Sequence, residues 1–305
     1  MVLGLHCSAA MKLIVQPRDG LTPILTSIKQ AKKEIDIVIF RADRKELQQA
    51  LEAAVKRGVR ARALIAHQNK GGSKQLRKLE QELLQAGVAV TRTGDDFVRY
   101  HGKMLCVDRE TLWVLGFNFT GLDINKSRSF GVMTRRRAEV SEALRLFEAD
   151  VTRQPFVPGP SQLVVSPESS RPDLMRFIQK AKQQLLIYDP KVSDPAIAEA
   201  LKAREKAGVE IKIMGKVGGC ASTLPHEKFP GHRLHVRLIV RDRSDAFLGS
   251  QSLRQLELDK RREIGMIVKE KAVVAEIVRV FEEDWAETAS GKKEKKKREH
   301  RRSAA

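Results

Sequence analysis

His101 and Lys103 stand one residue apart in RYHGKMLCV, a segment whose alternation reads as a strand. Side chains two positions apart on a strand share a face, so the imidazole and the ammonium project together. Asp108 follows, then a strand-like run, a turn at Leu115-Gly116-Phe117-Asn118 and, further on, Ser129. The same frame returns later as His235, Arg237, Asp242, the turn Gly249-Ser250-Gln251-Ser252, and Glu263. A histidine can attack phosphorus or protonate a leaving oxygen near neutral pH. A neighbouring cation and an amide can hold anionic oxygens as charge builds in the transition state. Two such half-sites facing each other would supply a nucleophile, an acid and an oxyanion clamp, and would need no metal or cofactor.

The elements that carry these residues are themselves repeated. KLIVQP from Lys12 matches QLVVSP from Gln162, IKQAKKEIDI from Ile28 matches IQKAKQQLLI from Ile178, and ALEAAVKRGVRARALI from Ala50 matches ALKAREKAGVEIKIMG from Ala200. All three blocks share an offset of 150 positions, which chance similarity does not explain; from the histidines onward the offset is 134. Within each copy the apolar spacing alternates between strand and helix. Thr22-Pro23 is a helix start and Gly58 a helix end. That order predicts an α/β fold of two similar halves related by a pseudo-two-fold axis, with mixed, mostly parallel sheets flanked by helices. His101 and His235 then face each other across one cleft. The expected divisions are an N-terminal extension over residues 1–10, a first half over 11–152, a Pro- and Gly-rich linker over 153–161, a second half over 162–288, and a basic disordered tail over 289–305.

Composition narrows the function classes. The chain has 305 residues, with 42% hydrophobic and 31% charged, which suits a globular protein with a sizeable core. Its apolar runs are strand-sized, and its N-terminus lacks the basic and apolar regions of a signal peptide. Cys7, Cys106 and Cys220 show no paired spacing, which argues against a disulfide framework or a zinc site and for a reducing, cytoplasmic setting. The formal net charge of +19 implies a polyanionic partner. Part of that charge lies between Lys292 and Arg302, where eight Lys/Arg face two Glu. Such a run is either a solvated tail or a means of docking peripherally at the inner face of an anionic membrane.

The doubled motif resembles the phospholipase D superfamily, whose signature is His-x-Lys, four residues, Asp, six residues, Gly-Ser-x-Asn, with an acidic residue further on. The resemblance runs from Lys12 to about Trp285. It implies a metal-independent phosphodiesterase or phosphatidyl transferase working through a covalent phosphohistidine, with Asp108 and Asp242 as structural supports. The residues carried over are His101, Lys103 and Asn118 in the first half and His235, Arg237 and Glu263 in the second, supported by Ser129, Ser250 and Ser252. The departures are Arg237 for Lys, Ser252 for Asn, Leu115-Gly116 for Gly-Ser, and Ser129 for an acid. Arg keeps the charge but is a planar fork. Glu263 is expected to accept from the ring of His235 and raise its pKa, which makes His235 the acid and His101 the nucleophile.

Three functions compete: a phospholipid-acting enzyme, a nuclease or other nucleic-acid phosphodiesterase, and a degenerate polyanion-binding protein without turnover. An aromatic content of 5% and the lack of aromatics on basic strands disfavour a dedicated single-strand reader. A monomer acting on a phospholipid or similar phosphodiester is the leading expectation. His226-Glu227-Lys228 mimics the motif, but Pro230 and Gly231 interrupt it, so it reads as a basic loop near the site mouth.

Overall fold

A computed structural model describes residues 11–67 and 74–303; the expected N-terminal extension lies outside them. The first half runs β1 (Lys12–Gln16), α1 (Thr22–Gln30), β2 (Glu34–Ile39), α2 (Lys45–Lys56), β3 (Arg60–Ile65), α3 (Lys74–Gln85), β4 (Ala89–Arg92), β5 (Arg99–Tyr100), β6 (Met104–Val107), β7 (Thr111–Leu115), α4 (Gly121–Lys126), β8 (Ser127–Thr134) and α5 (Arg137–Thr152). The second runs β9 (Leu163–Ser166), α6 (Ser170–Gln179), β10 (Gln184–Val192), α7 (Pro195–Lys206), β11 (Glu210–Val217), β12 (His226–Glu227), β13 (Arg233–Leu234), β14 (Leu238–Arg241), β15 (Asp245–Gly249), α8 (Gln255–Asp259), β16 (Arg261–Val268), α9 (Lys271–Ala286) and α10 (Ala289–Ser303).

The repeated sequence builds repeated structure. Leu51 on α2 and Leu201 on α7 are both fully buried. Truncating either to Ala would cost ~2–5 kcal/mol. Both helices end at a glycine with positive φ, +88° at Gly58 and +86° at Gly208, which lets the chain reverse into β3 or β11. The outer helices of each half cover the outer face of its own sheet, burying Ile24, Ile28 and Leu51 in one core and Leu174, Ile178 and Leu201 in the other. A third core lies between the halves and draws Val114, Phe130 and Phe147 from one and Leu248, Met266 and Phe281 from the other.

Each half carries an eight-stranded mixed sheet, one ordered β1-β8-β7-β6-β2-β3-β4 with β13 beside β8, the other β12-β11-β10-β14-β15-β16-β5 with β9 beside β16. The expectation of mostly parallel pairing is corrected: among the described strands, parallel pairing is confined to β2-β3-β4, β10-β11-β12 and the two short strands β5 and β13. The reason is local. The motif hairpins β6–β7 and β14–β15 fold back on themselves, and hairpins are antiparallel.

The two short strands tie the halves together. β5 of the first half pairs with β16 of the second, and β13 of the second pairs with β8 of the first. Their anchors match across the pseudo-axis. Arg262 is held by Asp150 and the Ser166 carbonyl, and Arg128 by Asp284 and the Gln16 carbonyl.

The run from Lys292, expected as a disordered tail, belongs to the helix α10. Glu294 pins its first turns by accepting from Lys212 (2.9 Å) and Trp285 Nε1 (3.2 Å). Among the described residues no helix is long and apolar enough to cross a membrane.

Candidate active site

Each histidine follows an exchanged strand, so its backbone hangs from the other half. His101 N–H donates to the Arg262 carbonyl at 2.7 Å, and His235 N–H to the Arg128 carbonyl at 3.1 Å. The next strand is fixed by matching bonds, Leu115 N–H to the Lys103 carbonyl and Gly249 N–H to the Arg237 carbonyl. Both imidazoles are only 6% exposed, and each lies within the other's electrostatic reach.

His101 Nδ1 is 2.8 Å from Glu263 Oε2. This corrects the expected pairing of Glu263 with His235: strand exchange carries each histidine to the acid position of the opposite half. Glu263 is fully buried, and Ser250 supports it. Burial pushes its pKa up, against the pull of Lys103, Ser250, Arg237 and Arg261. Lys103 is fully buried, with Nζ 3.1 Å and 3.0 Å from the two nitrogens of His101 and 5.5 Å from the centre of the Phe40 ring. Phe40 meets the His101 ring edge-on at 4.7 Å.

The equivalent acid position facing His235 is Ser129, whose hydroxyl donates to the His235 carbonyl at 3.1 Å. The carboxylate there comes from α4 instead. Asp123 Oδ2 lies 3.3 Å from His235 Nδ1, an ion-pair distance without hydrogen-bond geometry. Asp123 is already occupied by Asn118, which donates its backbone N–H at 2.8 Å and its Nδ2 at 2.7 Å, and by Arg233 at 2.7 Å. Asn118, expected to hold a phosphate oxygen, thus commits an N–H to positioning this acid. Ser252 donates to Asp189, which also accepts from Leu253 N–H and Lys191 N–H; burial raises the Asp189 pKa to about 6.

Burial, then Lys103 and Arg237, hold the His101 pKa well below its usual value; burial, then Arg237 and Lys103, do the same to His235. Burial also depresses Lys103 and Arg237. This excess of buried positive charge is complementary to an anion, and a bound phosphate would raise all four.

The remaining candidates lie outside this centre. Asp108 and Asp242 sit at hairpin turns with φ of 53° and 49°. Each accepts backbone N–H groups ahead of a central strand, from Lys32, Lys33 and Glu34 or from Lys182, Gln183 and Gln184. Gly116 fits where the halves touch; a Cβ there would meet the Phe130 carbonyl oxygen at 2.9 Å and that of Gly249 at 3.1 Å. Cys106 is buried in β6, and burial pushes its thiol up to about 12. His226 lies on β12, where its ring contacts the Leu224 carbonyl. Among the described residues no group of His, Cys, Asp or Glu side chains is arranged to hold a metal ion.

Asp123 was not singled out from the sequence, and two signals point to it. Thr120 three residues earlier caps α4, and the 134-residue offset aligns Asp123 with another buried acid, Glu257.

The family described as "Cardiolipin synthase, PLD-like domain" matches residues 24–151 and 174–285. No curated protein matches the chain. Polyphosphate kinase from Porphyromonas gingivalis superimposes with a TM-score of 0.74 at 16% identity, over 89% of this chain and 46% of that one, so this chain spans about half that length. Phosphatidylserine synthase from Haemophilus influenzae Rd KW20 superimposes with a TM-score of 0.70 at 12% identity, over 91% of this chain and 86% of the other. These likenesses establish the two-half fold.

Proposed function

The chain belongs to the phospholipase D-like family, and from that premise we propose that it cleaves or transfers phosphodiesters through a covalent phosphohistidine formed between its two halves. The observation that carries this reading is the pairing of two buried imidazoles around the cations Lys103 and Arg237, His101 with a carboxylate bonded at Nδ1 and His235 with one at ion-pair distance.

Glu263 holds the His101 ring with Nδ1–H toward it, and the Nε2 lone pair, 3.0 Å from Lys103 Nζ, attacks phosphorus as that ammonium turns to a non-bridging oxygen. As the N–P bond forms, the P–O bond to the leaving group breaks, and that oxygen takes a proton from His235. In the second step water or an alcohol gives its proton to His235. Its oxygen attacks phosphorus, and the N–P bond breaks to restore His101. Lys103 and Arg237 offset charge on the non-bridging oxygens. His235 suits the acid because Arg233 and Asn118 already use the Asp123 carboxylate, which therefore holds the imidazolium less firmly than Glu263 would.

The substrate reading is a phospholipid or similar amphiphilic diester. Arg233 and Leu234, the two residues before His235 in the chain, line part of a cavity of about 880 Å³. Phe229, Pro230 and Val217 give it apolar wall, and Lys216, Lys228 and His232 give it basic groups, a combination that suits an acyl chain beneath an anionic head. The basic face of α10 would add ~1 kcal/mol per engaged Lys/Arg at an anionic surface.

The deciding assay runs the pure protein on anionic phospholipid vesicles, on single- and double-stranded DNA, and on bis(p-nitrophenyl) phosphate, with and without EDTA. Turnover of vesicle lipid and of the soluble diester, unaffected by EDTA, is expected. Truncation after Glu294, which keeps the Lys212 and Trp285 contacts, should slow vesicle turnover alone. Ready cleavage of DNA with vesicles untouched would replace the lipid reading by the nuclease. Binding of all three without turnover would leave a polyanion-binding protein.

A further inference from the structure

The two sides of the reaction centre differ in their basic residues. Beside His101 the guanidinium of Arg99 lies 5.5 Å from the centre of the Phe40 ring, which itself abuts His101. Arg261 is strand-paired with Arg99, and Arg254 lies within electrostatic reach of both Arg99 and Arg237. The carboxylates that face this group are Glu257, whose Oε1 is shared by Arg254 and Arg261, Glu263, 3.8 Å from Arg261 and already engaged by His101, and Asp189, which acts on Arg254 but already accepts from Ser252 and two backbone N–H groups. Arg99 makes no ion pair or side-chain hydrogen bond among the described residues. The Nε atoms of Arg254 and Arg261 are buried without a partner. Burial and the neighbouring guanidinium of Arg261 depress both Arg99 and Arg254.

The opposite side provides an internal control. The 134-residue offset sets Arg99 against Arg233, Arg261 against Ser127 and Arg254 against Thr120. Arg233 is neutralised by Asp123 at 2.7 Å. At these matched positions the unneutralised guanidinium groups therefore belong to one side of a pseudo-symmetric site. A fold that needed these arginines for packing would need them on both sides. Like charges gathered around too few carboxylates lower stability unless an anion arrives.

We propose that Arg99, Arg254 and Arg261 form a second anion subsite that holds another phosphate of the substrate beside the reacting one. The inference deepens the proposed reaction and rests on its location between the histidines. It favours, over a simple diester, substrates that carry a second phosphate next to the reacting one, as in a diphosphate-linked lipid or a nucleotide strand.

Titration calorimetry of the full-length protein with inorganic phosphate and with pyrophosphate tests this without requiring turnover. Pyrophosphate should bind about 30-fold more tightly than phosphate, as one or two charge-assisted hydrogen bonds would give. Arg99→Gln, which breaks no ion pair, should reduce that ratio several-fold; Arg99→Gln with Arg254→Gln should bring it below about threefold, with Tm reporting that the fold persists. Equal binding of the two anions by the unmodified protein, or an undiminished ratio in the double variant, overturns the subsite. Competition by an alkyl diphosphate and by the dinucleotide pTpT then tells which source of the second phosphate the subsite prefers. Pyrophosphate preference without turnover of any diester would retain the subsite and discard the catalytic reading; turnover without preference would do the reverse.

Discussion

The half-sites around His101 and His235 answer the same requirement by different routes. At His101 the carboxylate comes from a strand, as Glu263 on β16, at 2.8 Å from the ring and with Ser250 behind it. At His235 the strand position has become Ser129, and the carboxylate comes from Asp123 on α4, at 3.3 Å and shared with Asn118 and Arg233. On the proposed reaction, this difference between the copies lets the two halves specialise. A strongly held imidazole suits repeated attack, and a loosely held one suits giving up a proton. In a symmetric pair neither property could improve without the other.

Removing each histidine tests that division most severely. His101→Ala and His235→Ala should each lower kcat by ~10³-fold or more on a diester with a poor leaving group. With a p-nitrophenyl ester they should part company. His235→Ala should release a burst of p-nitrophenol and accumulate an acid-labile phosphohistidine on residue 101, visible by mass spectrometry, whereas His101→Ala should show neither. The opposite pattern would exchange the two roles.

The carboxylates come next. Glu263→Gln should cost ~10²–10³-fold in kcat by releasing the His101 tautomer, and Asp123→Asn only ~10-fold, because the amide can still occupy the space between Asn118 and His235. Equal losses would show the halves to be equivalent despite their geometry. A smaller effect should appear in the pH profile of kcat/KM. The proposed roles require His101 neutral and His235 protonated in the free protein. Burial and the nearby cations lower both from the usual 6.5, so both limbs should lie on the acid side of that value. The alkaline limb of kcat should stand at higher pH, since bound phosphate restores the His235 proton. A kcat/KM optimum above pH 7 would contradict this electrostatic account. The mildest change is Arg237→Lys, which makes the cations of the two half-sites alike; KM should rise by about three- to tenfold with kcat less affected, a split that steady-state kinetics resolves.

Much of this was legible in the sequence. The blocks at an offset of 150 announced two α/β halves, because helix ends such as Gly58 and Gly208 and core positions such as Leu51 and Leu201 are fixed by local geometry and burial. The residues of the two motifs were legible for the same reason. The partners of the histidines were not. Sequence register pairs a histidine with the acid of its own half, whereas β5 and β13 are two residues long, too short to leave a periodic signal, and they cross to the opposite sheet. Asp123 was hidden because one acid in a short capped helix looks like any helix start. The basic run in α10 carries no apolar stripe, so only its contacts with Lys212 and Trp285 reveal how it begins.

The crossing of β5 and β13 also sets an order of events when the chain folds. The bond from His101 N–H to Arg262 closes a loop that runs from residue 101 to residue 262, more than half of the chain, while the hairpins and parallel strand pairs beside it form from near neighbours in the chain. Closing so long a loop carries a larger entropic cost than those local steps, so the crossing strands should dock late. In refolding from denaturant, secondary structure and the two separate cores should return before phosphate affinity does. The interval between those signals would measure how long two folded halves wait for each other.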